Sequence, residues 1–240
     1  MNDSSTTSKA TWTKRLTIAG VAITILGLLC APAGLSPLLA MTVLLVGSLL
    51  VIVAGVIAVI SLIRGRGATA ISWVAIALTV VALGNVGSRM GGGGAPIHDI
   101  TTDTVNPPEF IKTAKERKEN ENPAAYPGPE TAAIQLEAYP DIQTIVLPDP
   151  QSFVFQTALE TANDMGWDEI VSDAETGYIE ATASTPFVGF KDDVVIRIRT
   201  EGAETLVDIR SKSRFGGGDV GVNADRIRKF RDKLIAAASP

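Results

Sequence analysis

The sequence predicts an α+β domain that follows a membrane anchor of three helices. Three uncharged apolar runs fill most of the first ninety residues, and a stretch rich in glycine and proline follows them. The last ninety residues then show hydrophobic patterns in the order helix, four strands, helix. This order is typical of an antiparallel sheet of about four strands with helices on one face.

Charge is distributed unevenly along the chain. Residues 1–96 carry six Lys/Arg against one acid, a net charge of +5, whereas residues 97–240 carry 15 Lys/Arg against 25 acids, a net charge of −10. The acidic second part argues against a nucleic-acid partner, because phosphate binding requires a basic surface. The single cysteine, Cys30, lies within an apolar run, so an intrachain disulfide is excluded.

The three apolar runs are Leu16–Ala33, Leu38–Ile63 and Ala68–Val86, within a predicted anchor at residues 1–87. Each run reaches or approaches the ~20 residues that cross a bilayer as a helix, and none contains a charge. A buried helix of a soluble protein is the alternative for any one run. Three runs in succession, with short breaks between them, favour spans in a lipid bilayer.

Basic residues stand before the first run and between the second and the third: Lys9, Lys14, Arg15, Arg64 and Arg66. The turn between the first two runs, residues 32–37, is uncharged. Basic loops stay on the cytoplasmic side, so we expect a cytoplasmic N-terminus in a multi-pass protein of the bacterial inner membrane. The third run would then place the C-terminal domain outside the cytoplasm.

One alternative concerns the first run alone. Ala31-Pro32-Ala33 resembles a signal-peptidase site after a basic region and an apolar stretch. Cleavage there would remove one helix and leave the orientation of the other two unchanged. A lipoprotein anchor at Cys30 is disfavoured, because Leu29 stands where a small residue is expected.

A flexible linker is predicted at residues 88–96, SRMGGGGAP, because four consecutive glycines have no preferred conformation. The outer domain, 97–240, begins with a segment at 97–150 that holds eight of the thirteen prolines. This density of proline disfavours long helices and strands. We expect one short helix near Phe110–Glu121 and otherwise extended chain that wraps a core formed by 151–240.

The core segment starts with a helix. Asp149 is predicted as its N-cap and Pro150 as its first residue, and Gly166 ends it. Strands are expected near Trp167–Ser172 and at Tyr178–Ser184. A final helix is predicted at Ala224–Ala237, with its basic residues turned to solvent.

A hairpin is the strongest local pattern. Gly202-Ala203 fits a two-residue type II′ turn, which would place Ile198 opposite Val207 and Ile196 opposite Ile209. Arg197 then faces Asp208 on the other side of the sheet, where we expect an exposed ion pair.

The stretch GGGDVG matches G-x-G-x-x-G at Gly216, Gly218 and Gly221. A dinucleotide-binding fold needs a further strand and an acidic residue about 20 residues after the last glycine, and the 19 residues that follow Gly221 leave no room for them. A Walker-type phosphate loop is disfavoured as well, because no Lys-Ser/Thr follows Gly221. Two hypotheses remain. An anion site would use the loop and its neighbours, Arg210, Ser211, Ser213, Arg214, Gly216 and Gly218. A structural corner, which we favour, would cap the last helix with Asp219 and Asn223 after Gly221.

Other candidates for chemistry are few. His98 stands near Asp99 and Asp103, which suggests a metal ligand or general base, although a lone histidine in an extended segment is more often a surface residue. Asp192 and Asp193 are neighbours in a predicted strand, so they face opposite sides and cannot share a proton. We therefore expect no metal site, no cofactor and no catalytic residue.

Several motifs together resemble one known family: IHDITTDTVNPPEF, NPAAYPG, YPDIQT, GFKDDVVIRI and DIRSKSRFGGGDVGVNADRIR. They are similar to the membrane-anchored form of the family known as domain of unknown function 1499, over about Ile97–Leu234. The resemblance implies no established activity, substrate or catalytic residue. The run of three glycines at 216–218 is richer in glycine than the family pattern, which weakens a side-chain role there.

These observations predict a membrane-anchored binding or envelope-organising module outside the cytoplasm, with the bilayer and other envelope proteins as partners. The alternative is an enzyme or binding protein for an anionic, phosphorylated envelope ligand, held by Arg210, Arg214 and the glycine loop.

Overall fold

A computed structural model describes residues 3–30, 32–64, 69–91, 94–185 and 188–238 of the 240-residue chain. The chain divides into two compact units. The first contains three helices: α1 (Asp3–Cys30), α2 (Pro37–Ile63) and α3 (Ala70–Gly91). The second contains a sheet and four further helices.

The three helices of the first unit pack through small residues. A Cβ atom added at Gly47 of α2 would lie 2.4 Å from Thr24 Oγ1 of α1, and one at Gly20 would lie 2.8 Å from Val51 Cγ2. Glycine at these positions therefore lets the backbones of α1 and α2 approach closely, as is common for helices in membranes. α2 begins with Pro37, preceded by Ser36, whose Oγ accepts the Leu39 N–H at 3.3 Å.

Two helices, over Thr11–Cys30 and Pro37–Ile63, are long and apolar enough to cross a membrane. In α3 the apolar stretch within the described side chains is shorter, Ala70–Val81. The structure thus supports two candidate spans where the sequence predicts three. The side chains of residues 82–91, the rest of α3, lie outside the described part of the chain.

The boundary between the anchor and the linker differs from the prediction. α3 continues to Gly91, so the first four residues of the predicted linker 88–96 are helical, because a helix already formed extends readily over a few further residues. Ala31 of the alternative cleavage site, residues 65–68 of the basic loop, and Gly92 and Gly93 of the linker lie outside the described residues.

The second unit is an α+β fold in one antiparallel sheet. Its elements are β1 (Asp99–Thr101), α4 (Lys112–Glu116), α5 (Pro129–Ala138), β2 (Ile145–Leu147), α6 (Gln151–Asp164), β3 (Asp168–Asp173), β4 (Tyr178–Ser184), β5 (Lys191–Glu201), β6 (Glu204–Ser213) and α7 (Val222–Ala238). The strand order is β1-β6-β5-β4-β3, and β2 also pairs with β6.

The sheet has six strands rather than the predicted four, since β1 and β2 both lie along the outer edge of β6. Asp99 pairs with Lys212, and Ile145 pairs with Val207. Each added strand has three residues, too few to show a period of two in the sequence. α5 was also not predicted, although Pro129 occupies its first turn, where proline is well tolerated.

The predicted register and turn of the hairpin are confirmed. Ile198 pairs with Val207, Ile196 with Ile209 and Arg197 with Asp208. Gly202 has φ of +63°, as the first central residue of a type II′ turn requires.

The predicted cap of α6 is wrong by one residue. α6 begins at Gln151, Pro150 occupies the N-cap position, and the Asp149 carbonyl accepts the Thr205 hydroxyl at 2.6 Å. Proline cannot donate a hydrogen bond, so it is tolerated just before the first helical turn.

The hydrophobic core lies between one face of the sheet and helices α6 and α7. Ile179, Ile196 and Ile209 are fully buried on that face, where Trp167 stacks on Phe230 of α7 with ring centroids 5.7 Å apart. The opposite face is covered by residues 102–126, here called the covering segment, which contains α4. The predicted arrangement with helices on one face is therefore incomplete, because α4 packs on the other.

Candidate functional site: a buried charged face

Charged side chains line the sheet face that lies opposite the core. Their positions follow from the period of two in β6: Val207 and Ile209 enter the core, while Asp208, Arg210 and Lys212 point the other way. Seven of them, here called the charged face, are Glu180, Asp193, Arg197, Asp208, Arg210, Lys212 and Arg214. Buried charges require partners, so the pairing of this face is the main feature of the domain.

Asp99 of β1 holds two cations. Arg210 binds it in a bidentate pair, with Nε 2.9 Å from Oδ1 and Nη2 2.8 Å from Oδ2, and Lys212 Nζ lies 2.9 Å from Oδ2. Burial lowers the pKa of Lys212. The two cations also donate to carbonyls of the covering segment, those of Pro108, Ala124 and Ala125.

Two aromatic rings enclose the Arg210 guanidinium. Its central carbon lies 4.7 Å from the ring centroid of Phe110 and 5.4 Å from that of Tyr126, within cation–π range. The Tyr126 hydroxyl is buried and has no hydrogen-bond partner within the described part of the chain. Burial, together with the negative charge of Asp99, raises the pKa of Tyr126 to about 12, so the phenol is protonated.

Asp193 of β5 forms the second cluster. Arg117 Nη2 lies 2.7 Å from Oδ2, and Arg214 donates from Nη2 to Oδ1 at 2.7 Å and from Nε at 3.0 Å. Burial lowers the pKa of Arg117, against the raising effect of Asp193. Asp99 and Asp193 thus each hold two cations, and Glu116, which is 41% exposed, lies 3.9 Å from Arg214 Nη2.

Asp208 forms the third cluster and corrects one expectation. Arg197 Nη2 lies 2.8 Å from Oδ2, Arg199 contacts the same oxygen, and Thr144 Oγ1 donates to Oδ1 at 2.6 Å. The sequence predicts an exposed Arg197–Asp208 pair, but Asp208 is 0% exposed and Arg197 is 24% exposed. The expectation fails because the covering segment lies over the sheet, and its Asp103 binds Arg197 at 3.0 Å.

Glu180 of β4 caps the short helix of the covering segment. Its carboxylate accepts the backbone N–H groups of Ile111, Lys112 and Thr113 at 3.1, 2.9 and 2.6 Å, and the hydroxyls of Thr113 and Tyr178. Burial disfavours the carboxylate, but the hydrogen bonds outweigh this effect and lower the pKa of Glu180.

The residues predicted to hold an anion do not converge. Arg210 and Arg214 lie on the charged face, whereas Ser211 and Ser213 point toward α7, where both hydroxyls bond the side chain of Asn223 at 2.6 and 2.9 Å. Alternation along β6 separates the arginines from the serines.

The glycine loop makes contacts within the fold. Asp219 accepts the N–H groups of Gly221 at 2.9 Å and Asn223 at 2.6 Å, at the start of α7. Burial raises the pKa of Asp219, although these hydrogen bonds act in the opposite direction. The Gly216 carbonyl accepts Asn122 Nδ2 at 2.8 Å, and Gly218 lies beside Pro96. The loop thus joins β6, α7 and the start of the domain.

The His98 group does not form a site. His98 Nδ1 is 3.4 Å from the Gly217 carbonyl, while Asp99 binds Arg210 and Asp103 binds Arg197. Among the described residues, no group of three His, Cys, Asp or Glu side chains is placed to hold a metal ion. Asp192 lies on the opposite face from Asp193, as predicted, and pairs with Arg226 at 2.6 Å.

Sequence reasoning missed the clusters around Asp99 and Asp193. One signal was present, because charged residues occupy every second position of Asp208–Arg214. Such alternation usually indicates a solvated strand face. Only the covering segment, with its aromatic rings and carbonyls, makes this face an interior one.

A cavity of about 470 Å³ opens between the charged face and the covering segment. Arg210, Phe110 and Tyr126 line it, together with Glu109 and small residues of the covering segment. Its volume lies in the range of small-molecule sites.

A family model described as a protein of unknown function, DUF1499, matches residues 99–234. The match is longer than half of the chain and includes the whole sheet, the covering segment and the cavity. A comparison with curated proteins found no match to the chain. The chain therefore belongs to the DUF1499 family.

Proposed function

We propose that this protein is a membrane-anchored binding module whose sheet domain lies outside the cytoplasm of a bacterial-type inner membrane. The observation that carries this proposal is the apolar surface of the helical unit. Large apolar side chains that are more than half exposed occur along all three helices: Leu26, Leu45, Leu49, Ile63, Val80 and Val81. The bilayer is the first partner, and other envelope proteins are the second.

Exposure of this surface to water is unfavourable, at roughly 25 cal/mol for each Å² of apolar area. A bilayer covers such a surface without further protein contacts. α3 exposes Trp73 as well as Val80 and Val81. It has 22 residues, a length of ~33 Å at 1.5 Å per residue, which matches a hydrocarbon core of ~30 Å. These features support a third crossing by α3.

The side of the membrane follows from the basic residues. Lys14 and Arg15 lie in the first half of α1, and Arg64 follows α2 directly. The turn between α1 and α2 is uncharged. The positive-inside tendency therefore favours a cytoplasmic N-terminus and, after three crossings, an extracytoplasmic domain.

Binding is favoured over catalysis by the state of the buried charges. Asp99, Asp193 and Asp208 each bind two cations, so these carboxylates are not available as general bases. The charged face supports the covering segment, and the cavity between them offers space for a ligand.

Fusions to a reporter that is active only outside the cytoplasm test the proposal. We expect activity for a fusion after Pro240 and for one at Gly34, in the turn between α1 and α2. A fusion at Gly65 should be inactive. Activity at Gly34 with none after Pro240 would show two crossings and refute the extracytoplasmic domain. Extraction of the membrane fraction with alkaline carbonate should leave the full chain in the pellet, and its release would refute the anchor.

A further inference from the structure

We infer that the cavity beside Arg210 binds a small organic anion, with a carboxylate or phosphate group on a compact apolar body. The inference deepens the proposed binding function and rests on it. It names a site and a ligand class, while the proposed function concerns the anchor and the side of the membrane.

The cavity lies beside buried positive charge. Four buried cations surround two buried carboxylates, Asp99 and Asp193, and the cations are Arg117, Arg210, Lys212 and Arg214. The partly exposed Glu116, 3.9 Å from Arg214, offsets part of this charge. The remaining buried positive charge lies in a region of low dielectric, where an anion is attracted more strongly than in water. Glu109 is the one carboxylate that lines the described cavity, and because it is exposed its repulsion is weaker than the attraction of the buried cations.

Hydrogen-bond donors at the cavity are incompletely satisfied. Tyr126 lines the cavity, and its hydroxyl is buried and has no partner within the described ranges. Arg210 makes four hydrogen bonds, two to Asp99 and two to the carbonyls of Pro108 and Ala124. A guanidinium has five N–H groups, so one has no acceptor among the described residues. An oxyanion accepts from both groups, because it carries several lone pairs.

The size and lining of the cavity indicate the body of the ligand. A volume of about 470 Å³ greatly exceeds that of a single inorganic anion, so the ligand has a body. Phe110 and Pro107 provide apolar walls, with Ala124 and Ala125 beside them. These surfaces fit a compact hydrocarbon or aromatic ring better than a chain of hydroxyl groups.

The site differs from the anion site predicted at the glycine loop. That loop contains Asp219, whose carboxylate accepts N–H groups at the start of α7. Arg210 is shared by both hypotheses, but it reaches the cavity under the covering segment, on the face opposite Ser211 and Ser213.

Calorimetric titration of the full chain in nanodiscs tests the ligand class. The probes are benzoate and phenyl phosphate, with benzamide and benzylammonium as neutral and cationic analogues of similar shape. We expect both anions to bind at least tenfold more tightly than the two analogues. The absence of binding by both anions would overturn the inference, as would equal or tighter binding of benzamide or benzylammonium.

Three variants locate the binding. Tyr126→Phe should weaken binding of the anions about tenfold, the loss expected for one hydrogen bond to a charged group. Its unfolding temperature should stay unchanged or rise, because no hydrogen bond within the described protein is lost. Glu109→Gln should strengthen anion binding several-fold by removing a like charge.

Tyr139→Phe is the matched control, since the Tyr139 hydroxyl accepts the Ala95 N–H at 3.0 Å away from the cavity. It should lower the unfolding temperature and leave the affinity unchanged. Unchanged affinity in Tyr126→Phe, or weaker anion binding in Glu109→Gln, would refute this site. The reporter fusions do not depend on binding, so failure of the anchor proposal and failure of this inference are separate results.

Discussion

Asp208 of β6 joins its own strand to two other parts of the domain, because it binds Arg197 and Arg199 of β5 and Thr144 before β2. We expect Asp208→Ala to reduce the free energy of unfolding by about 3 kcal/mol or more, since it leaves two arginines without their shared carboxylate partner. Arg197→Ala should cost about 1 kcal/mol, because Arg197 is partly exposed and Arg199 still pairs with Asp208. Urea unfolding of both variants measures the difference, and equal costs would contradict this account.

Glu180 makes stability depend on pH. The pKa of Glu180 is lowered in the folded state, so its contribution is fully present above the ordinary glutamate value of about 4.3. The contribution is lost as the pH falls through the lower folded value. Glu180→Gln should therefore cost about 1–3 kcal/mol at pH 7 and less at acidic pH.

Urea unfolding at several pH values tests this dependence. Glu160→Gln is the control, because Glu160 lies on the exposed side of α6 and bonds only Gln156 among its described neighbours. A Glu180→Gln cost that stays constant down to pH 3 would argue against hydrogen bonding as the source of the stability.

At the scale of elements, the start of α7 depends on one carboxylate. Asp219→Ala removes the acceptor for Gly221 and Asn223, so we expect a loss of about 1 kcal/mol and a lower melting temperature. Arg214→Ala should also lower the melting temperature, because it leaves Asp193 with Arg117 alone. An anion site at the loop predicts instead that Asp219→Ala raises the melting temperature. It also predicts that added phosphate or sulfate stabilises the domain, and that Arg214→Ala abolishes this stabilisation.

The strands also show which pairings local sequence patterns can predict. The β5–β6 hairpin is set by its turn and by the alternation of its apolar residues, both of which are local, so its register is predictable. β1 and β2 have no such pattern. Each forms because the edge of β6 offers unpaired N–H and C=O groups, and this edge exists only once the hairpin has folded.

At the scale of the whole molecule, the second unit has its own hydrophobic core and should fold without the three helices of the first unit. A chain of residues 94–240 should be soluble and unfold in one cooperative transition, as followed by circular dichroism. A chain of residues 127–240 should not fold, because loss of the covering segment exposes the charged face and removes Asp99. A folded 127–240 chain would show that the covering segment is an accessory rather than part of the fold.

The sequence alone determines the local and compositional features of this protein: an apolar N-terminal region, an acidic α+β domain, the β5–β6 hairpin and the family. These follow from periodicity, composition and motifs, which act over a few residues at a time. The tertiary structure alone decides that Asp99 and Asp193 hold four cations, and that Tyr126 and Arg210 line one cavity. Asp99 and Arg210 are 111 residues apart in sequence. The burial of such a pair depends on which segment covers which face of the sheet, and this is a property of the packed chain as a whole.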